Sequence, residues 1–209
     1  MHVVGMVGSM RKDGNTNALV AGVIDEMKAL EPGLSAELIH VADKTVEPCR
    51  VTCSRYCAES RFRCSIPDDV NDVLDTMTEA DALVIGTPLY FRAPPARFQA
   101  LAERLVSVFF YKETQGAGGE ESPLAGKPCG LVGVAEYLNP HQMLEYLHDF
   151  CTVLKMRPVR LDRFPYLGVA GQGDFAKDDV FSPFERTRDL AAELIEAVKR
   201  KERRGGREK

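Results

Sequence analysis

No stretch of this 209-residue chain carries an apolar run long enough to cross a bilayer. The opening MHVVGMVGSMRKDGN has no basic leader, and its short apolar stretch runs straight into a turn, so it reads as a first strand and not as a secretion signal. Without an export signal, the six cysteines are not expected to form a disulfide framework. Positive charge is outnumbered: 27 Lys and Arg face 31 Asp and Glu for a formal net charge of −4, and Lys199 to Lys209 hold seven Lys or Arg against two Glu, which leaves the rest near −9. An acidic body excludes a broad nucleic-acid surface. The basic end suits the close of a last helix, with residues 201–209 expected to fray as a disordered tail. The expected location is the cytoplasm, with neither membrane nor nucleic acid as partner.

Three signatures are missing. A P-loop needs GxxxxGK followed by Ser or Thr, but Gly8 is followed five positions on by Asp13, and Gly14 by Asn15. A dinucleotide fingerprint needs GxGxxG, and only Gly5 and Gly8 are available, which argues against a resident adenine dinucleotide. No GxSxG elbow exists, so an α/β-hydrolase reading fails. Glu145 and His148 have the spacing of half a di-iron motif, but its other half is lacking, and His141 with His148 has no third ligand.

What is present is a strand–helix alternation in an ordinary soluble composition, 44% hydrophobic and 28% charged. Strands are expected at His2–Val7, Ala36–Val41, Ala82–Gly86, Pro128–Val134 and Arg157–Leu161. Helices are expected at Asn15–Leu30, from Asp68, after Pro95, at Pro140–Lys155 and from Pro183 to about Arg200. ALVIG at 82–86 is apolar throughout, as a central parallel strand must be. Thr114 to Ser122 reads as an exposed loop, and 43–67 as an irregular insertion holding the cysteines. The whole is one α/β domain over residues 1–200, a five-stranded doubly wound parallel sheet with helices on both faces. Ligands of such sheets bind beyond the carboxyl ends of the strands.

The first such loop is GSMRKDGNTN. Ser9, Asn15, Thr16 and Asn17 supply short polar groups, Gly14 permits a sharp turn, and the N–H groups of a helix start favour an anion. Arg11 can clamp a phosphate. Simple capping by Asn15 or Thr16 explains one such residue but not this density. After the third strand, Pro88, Leu89, Tyr90 and Phe91 offer the apolar and aromatic walls that a flat isoalloxazine ring needs.

Cys49, Cys53, Cys57 and Cys64 crowd into sixteen residues, separated by three, three and six positions. Four thiolates so placed can hold a 4Fe–4S cluster, a structural zinc ion or nothing at all. Cys129 in a strand and Cys151 on a helix read as buried apolar fillers.

With GSMRKDGNTNALV, the CxxxCxxxCxxxxxxCSIPDD run, ADALVIGTPLYF and LAGKPCGLVGVAEY in this order, the chain resembles the NADPH-dependent FMN reductase family, and within it the iron–sulfur flavoprotein branch. The resemblance reaches to about Asp162. It implies a flavodoxin-like sheet of order 2-1-3-4-5. It implies FMN with its phosphate on Ser9, Arg11, Asn15, Thr16 and Asn17, and its ring over Pro88 to Phe91. Ala135, Glu136 and Tyr137 would follow the other rim, where relatives often carry glycines and this chain has AEYLNP. Family cysteine gaps are each about one residue shorter than here. A homodimer or homotetramer is implied.

The activity expected is an FMN-dependent oxidoreductase. Electrons would come from NAD(P)H or a ferredoxin-like protein donor and pass to a small acceptor such as a quinone, a flavin or oxygen. The alternative is a flavodoxin-like electron carrier docking on partner proteins. No side chain need act as acid or base in either.

Overall fold

In the computed structural model, residues 1–50, 54–115, 120–173 and 182–205 are described. The elements run β1 (His2–Val7), α1 (Asn15–Leu30), β2 (Ser35–His40), α2 (Ser54–Glu59), α3 (Val70–Glu79) and β3 (Ala82–Pro88). They continue with α4 (Ala96–Arg104), α5 (Val106–Gln115), β4 (Pro128–Ala135), α6 (His141–Val153), β5 (Arg157–Pro158), β6 (Val169–Gln172) and α7 (Glu185–Gly205). The sheet is parallel in order β2-β1-β3-β4-β5, with β6 also pairing with β4. This is the doubly wound order expected from the sequence.

Every residue of β3 and β4 is buried. That is why both strands are apolar without alternation: helices cover them from two sides. Successive side chains point to opposite faces. Val4, Met6, Leu83, Ile85 and Leu131 enter a core packed with residues of α3, α4 and α6. Val3, Val7, Val84 and Val132 enter the opposite core, with Leu19, Val23 and Met27 of α1 and Leu190 and Leu194 of α7. Each such side chain contributes about 1.5–3 kcal/mol of burial.

The structure departs from the sequence reading in several places. The fifth strand, expected at Arg157–Leu161, is two short pieces. β5 pairs with the start of β4, the chain leaves the ladder after Val159, and β6 returns to pair with its end. Pro158 stays paired with Cys129 in the edge strand, and the DRFP turn follows where the chain has left the ladder. Within the insertion, α2 forms a short helix carrying an Arg55–Glu59 ion pair at 3.0 Å. The helix after Pro95 is broken at Leu105 into α4 and α5, and α5 runs to Gln115, into the segment expected as a loop. At the far end of that segment Ser122 is buried, its hydroxyl bonded to the Leu154 carbonyl at 3.3 Å. Helix α7 continues to Gly205, five residues beyond Arg200; residues 206–209 of the expected tail lie outside the described residues. Cys129 and Cys151 are fully buried, and burial with the neighbouring Cys129 thiol pushes the Cys151 thiol well up.

Candidate active site

The carboxyl ends of β1, β3 and β4 carry the loops that the topology singles out. Gly8 closes β1 with its N–H on the Gly86 carbonyl at 2.7 Å. A Cβ at Gly8 would stand 2.6 Å from the Phe98 ring and 2.7 Å from the Thr87 hydroxyl, so only glycine lets the first loop lie this close to the end of β3. Leu89 donates to the Val134 carbonyl at 2.7 Å, which ties the second loop to β4.

Between these loops lies a cavity of about 970 Å³. Ser9, Arg11, Asn15 and Thr16 line one side, Pro88 to Phe91 another, and Val134 to Leu138 a third. The structure thus brings the expected anion cradle, the expected apolar wall and Ala135 with Glu136 together around one space. Asn17 does not line it. Successive helical residues are rotated by about 100°, so Asn15 and Thr16 face the cavity while Asn17 is carried round. Its Oδ1 is buried without a partner among the described residues.

The start of α1 is open to a ligand. Its N-cap is Gly14, and no side chain caps it. Asn15 does not cap; its amide donates to the Gly173 carbonyl at 3.1 Å. Ser9 accepts the Arg11 N–H at 3.1 Å, which shapes the turn. Lys12 is tied to Asp43 at 2.7 Å, so Arg11 is the loop cation left for an anion among the described residues.

The second loop stores strain at the rim. Tyr90 and Ala93 exchange backbone bonds of 2.7 and 2.9 Å around Phe91 and Arg92, whose φ values are 48° and 68°. Two consecutive left-handed residues that are not glycine cost about 1–2 kcal/mol each. Phe91 is wholly exposed and Tyr137 is 85% exposed, both at this cavity.

Val134, Leu138 and Gly173 are lining residues that sequence reasoning missed. Gly173 has φ 67°, donates to the Ala135 carbonyl at 2.8 Å and follows β6 directly. The glycines of GVAGQGD were its signal, but only the return of β6 beside β4 brings it here.

A cavity of this size, with a helix start uncapped and an arginine unpaired among the described residues at one end and proline and aromatic walls at the other, fits a phosphorylated flat heterocycle. The sequence pattern that defines NADPH-dependent FMN reductases matches residues 1–165. The chain belongs to the NADPH-dependent FMN reductase family.

Within this family, an iron–sulfur flavoprotein of Methanocaldococcus jannaschii is 31% identical over 207 residues, covering 95% of this chain and 98% of the relative. One from Methanosarcina thermophila is 26% identical over 152 residues, 69% of this chain and 76% of that one. The fold also matches a flavodoxin-like WrbA-like protein of Agrobacterium tumefaciens at 16% identity, with a TM-score of 0.59 over 95% of this chain and 97% of that one. An archaeal flavodoxin matches at 12% identity with a TM-score of 0.57, over 95% and 99%.

The cysteines of this FMN reductase family member occupy a second region. Cys49 and Cys57 line a largely apolar cavity of about 640 Å³ walled by α4, α5 and α6. Cys64 does not line that cavity; its sulfur accepts the Nε–H of Arg104 at 2.9 Å. Cys53 lies outside the described residues. Among the described residues no three His, Cys, Asp or Glu side chains converge on one point, and no cysteine is in a disulfide. Thiols are the soft ligands an iron–sulfur group takes, but as placed here Cys49, Cys57 and Cys64 do not form a ligand set for one: Cys49 and Cys57 share a cavity and Cys64 faces Arg104.

Proposed function

We propose that this chain binds FMN in the cavity between the loops after β1, β3 and β4. Electrons enter from NAD(P)H or a reduced ferredoxin-like protein and leave to a small acceptor, a quinone, a flavin or oxygen. Cys49, Cys53, Cys57 and Cys64 would have to come together to hold a 4Fe–4S cluster, which would supply single-electron transfer. Membership of a flavin-dependent reductase family and the iron–sulfur flavoprotein relatives support this reading. The observation that carries it is the single cavity shared by Ser9, Arg11, Asn15, Thr16 and Pro88 to Phe91.

FMN, when bound, supplies the hydride and single-electron chemistry. The residues of the chain bind and orient it. Arg11, Ser9, Thr16 and the open N–H groups of α1 would hold the phosphate. Leu89 and Tyr90 would bind the flat ring, Val134 and Ala135 would exclude water from it, and Glu136 lines the same space. The wholly exposed Phe91 and the exposed Tyr137 leave the outer side of the cavity to a substrate or to a second subunit of a homodimer or homotetramer.

The test is an absorption spectrum of anaerobically purified protein with flavin, iron and sulfide analysis, followed by NADH and NADPH oxidation. Bound FMN with oxidation of either nucleotide is expected. Bound FMN without oxidation would move the reading to a ferredoxin-coupled enzyme or a carrier. Protein that binds no FMN would overturn it.

A further inference from the structure

Pro88 ends β3 and is paired with Val134 of β4 in the sheet. Three residues beyond each partner the chain carries an aromatic side chain, Phe91 on one loop and Tyr137 on the other. Both line the candidate flavin cavity and both are exposed there, Phe91 wholly. Neither belongs to the two hydrophobic cores among the described residues, so packing does not require a ring at either position. The loops beneath them are fixed all the same. Tyr90 and Ala93 close the turn that holds Phe91, at 2.7 and 2.9 Å. Behind Tyr137, the Asn139 side chain accepts the His141 N–H at 3.0 Å, and the Ala135 carbonyl accepts the Gly173 N–H at 2.8 Å.

We propose that Phe91 and Tyr137 form a stacking site for the flat ring of the molecule that exchanges electrons with the flavin, and that Tyr137 makes this site prefer planar aromatic reactants to twisted ones. The proposal rests on the FMN reading above and narrows its substrate class. An apolar ring kept in water gains free energy when a ligand covers it, and exposed apolar surface at the mouth of a cavity marks where that happens. The cavity, about 970 Å³, stands at the upper end of the range of small-molecule sites, so it has room for a second flat molecule beside the cofactor. An aromatic side chain turns about only two χ angles, so stacking on it costs little conformational entropy. Stacked and edge-on aromatic pairs gain more than their buried area alone provides. A reactant whose rings are twisted out of one plane cannot make that contact over its whole face.

The experiment uses the full chain loaded with FMN, and flavin per chain is measured first. Acridone, a flat tricycle, is titrated and followed by its fluorescence. Benzophenone, of similar size with its two rings twisted apart, is measured by competition against it. Neither probe is turned over, so the readout is binding and not activity. Wild type is expected to bind acridone about fivefold more tightly than benzophenone. Tyr137→Leu keeps apolar bulk without a flat ring; its affinity for acridone is expected to fall about five- to tenfold, with benzophenone unmoved. Tyr137→Phe keeps the ring and should bind both probes as wild type does. Tyr137 lies at the surface, so the variants should keep FMN and the wild-type melting temperature. Equal binding of the two probes by wild type, or a Tyr137→Leu protein that keeps the preference, overturns the inference and leaves the FMN reading intact. So does acridone that releases FMN, since it then occupies the place of the cofactor, and so does a Tyr137→Leu protein that loses FMN. An affinity lost equally in Tyr137→Phe assigns the effect to the hydroxyl and overturns stacking. Wild-type protein that takes up no FMN overturns both readings, and is seen before any probe is added.

Discussion

The side-chain amide of Asn15 donates to the backbone carbonyl of Gly173 at 3.1 Å, joining the first turn of α1 to the loop after β6 across 158 positions of sequence. The bond closes one wall of the candidate flavin cavity. Asn15→Ala removes it without emptying core volume. FMN affinity is expected to fall about fivefold, matching the ~1 kcal/mol net value of such a bond, with little change in the melting temperature of the apoprotein. Flavin fluorescence titration and calorimetry check both halves.

Arg11 is exposed at the cavity. Arg11→Gln is expected to weaken FMN binding by about 10- to 100-fold, the ~1.5–3 kcal/mol of a charge-assisted bond. Riboflavin, which has no phosphate, should bind the variant and the wild type alike. Equal losses for both ligands would place the arginine elsewhere than at the phosphate. Raising the salt concentration should erode the wild-type preference for FMN, since an exposed charge is screened.

Phe91 combines a left-handed backbone with a wholly exposed ring. Phe91→Gly relieves the backbone and loses no core packing, against a greater chain entropy in the unfolded state. The apoprotein should be as stable as wild type or more so, within about 1 kcal/mol. The KM for a planar acceptor should rise while the rate with ferricyanide holds. Stability curves and steady-state kinetics with the two acceptors test this.

Asp68 is 3% exposed and faces Arg104. Burial by itself would raise its carboxyl, but the guanidinium and the backbone N–H groups of Glu47 and Val70 outweigh burial and hold it below the usual range. A lowered folded value means that the unfolded chain takes up the proton first. The stabilisation is therefore complete above the unfolded carboxylate range near pH 4 and is lost as pH falls through the folded value. Asp68→Asn leaves Arg104 buried without its counter-charge and is expected to cost about 3–5 kcal/mol at pH 7. Urea unfolding from pH 7 to pH 3 should show the variant losing less stability on acidification than wild type.

Much of the fold was legible because local pattern and final burial agree. Strand β1 and helix α1 have the bounds that a short apolar run and a 3.6-residue period predict. Ser9, Arg11, Asn15 and Thr16 could be read together because they occupy one turn. Arg104 could not be read this way. On α4 it looks like a solvated arginine of an amphipathic helix, and its enclosure depends on a carboxylate 36 residues earlier. The expected fifth strand leaves the ladder after Val159 and a second short strand returns to the end of β4, so the place of Gly173 was hidden as well.

Chain order, the apolar strands, the polar turn after β1 and the crowding of cysteines follow from the sequence alone, since each rests on neighbours within a few residues. Tertiary structure decided which polar groups meet: Asn15 with Gly173, and Arg104 with Asp68 and Cys64; it also set Phe91 at the open mouth of the cavity. Those pairings depend on how parallel strands bring distant loops to one edge of the sheet. A buried donor then takes whatever acceptor lies within reach, and no local pattern encodes which one that is.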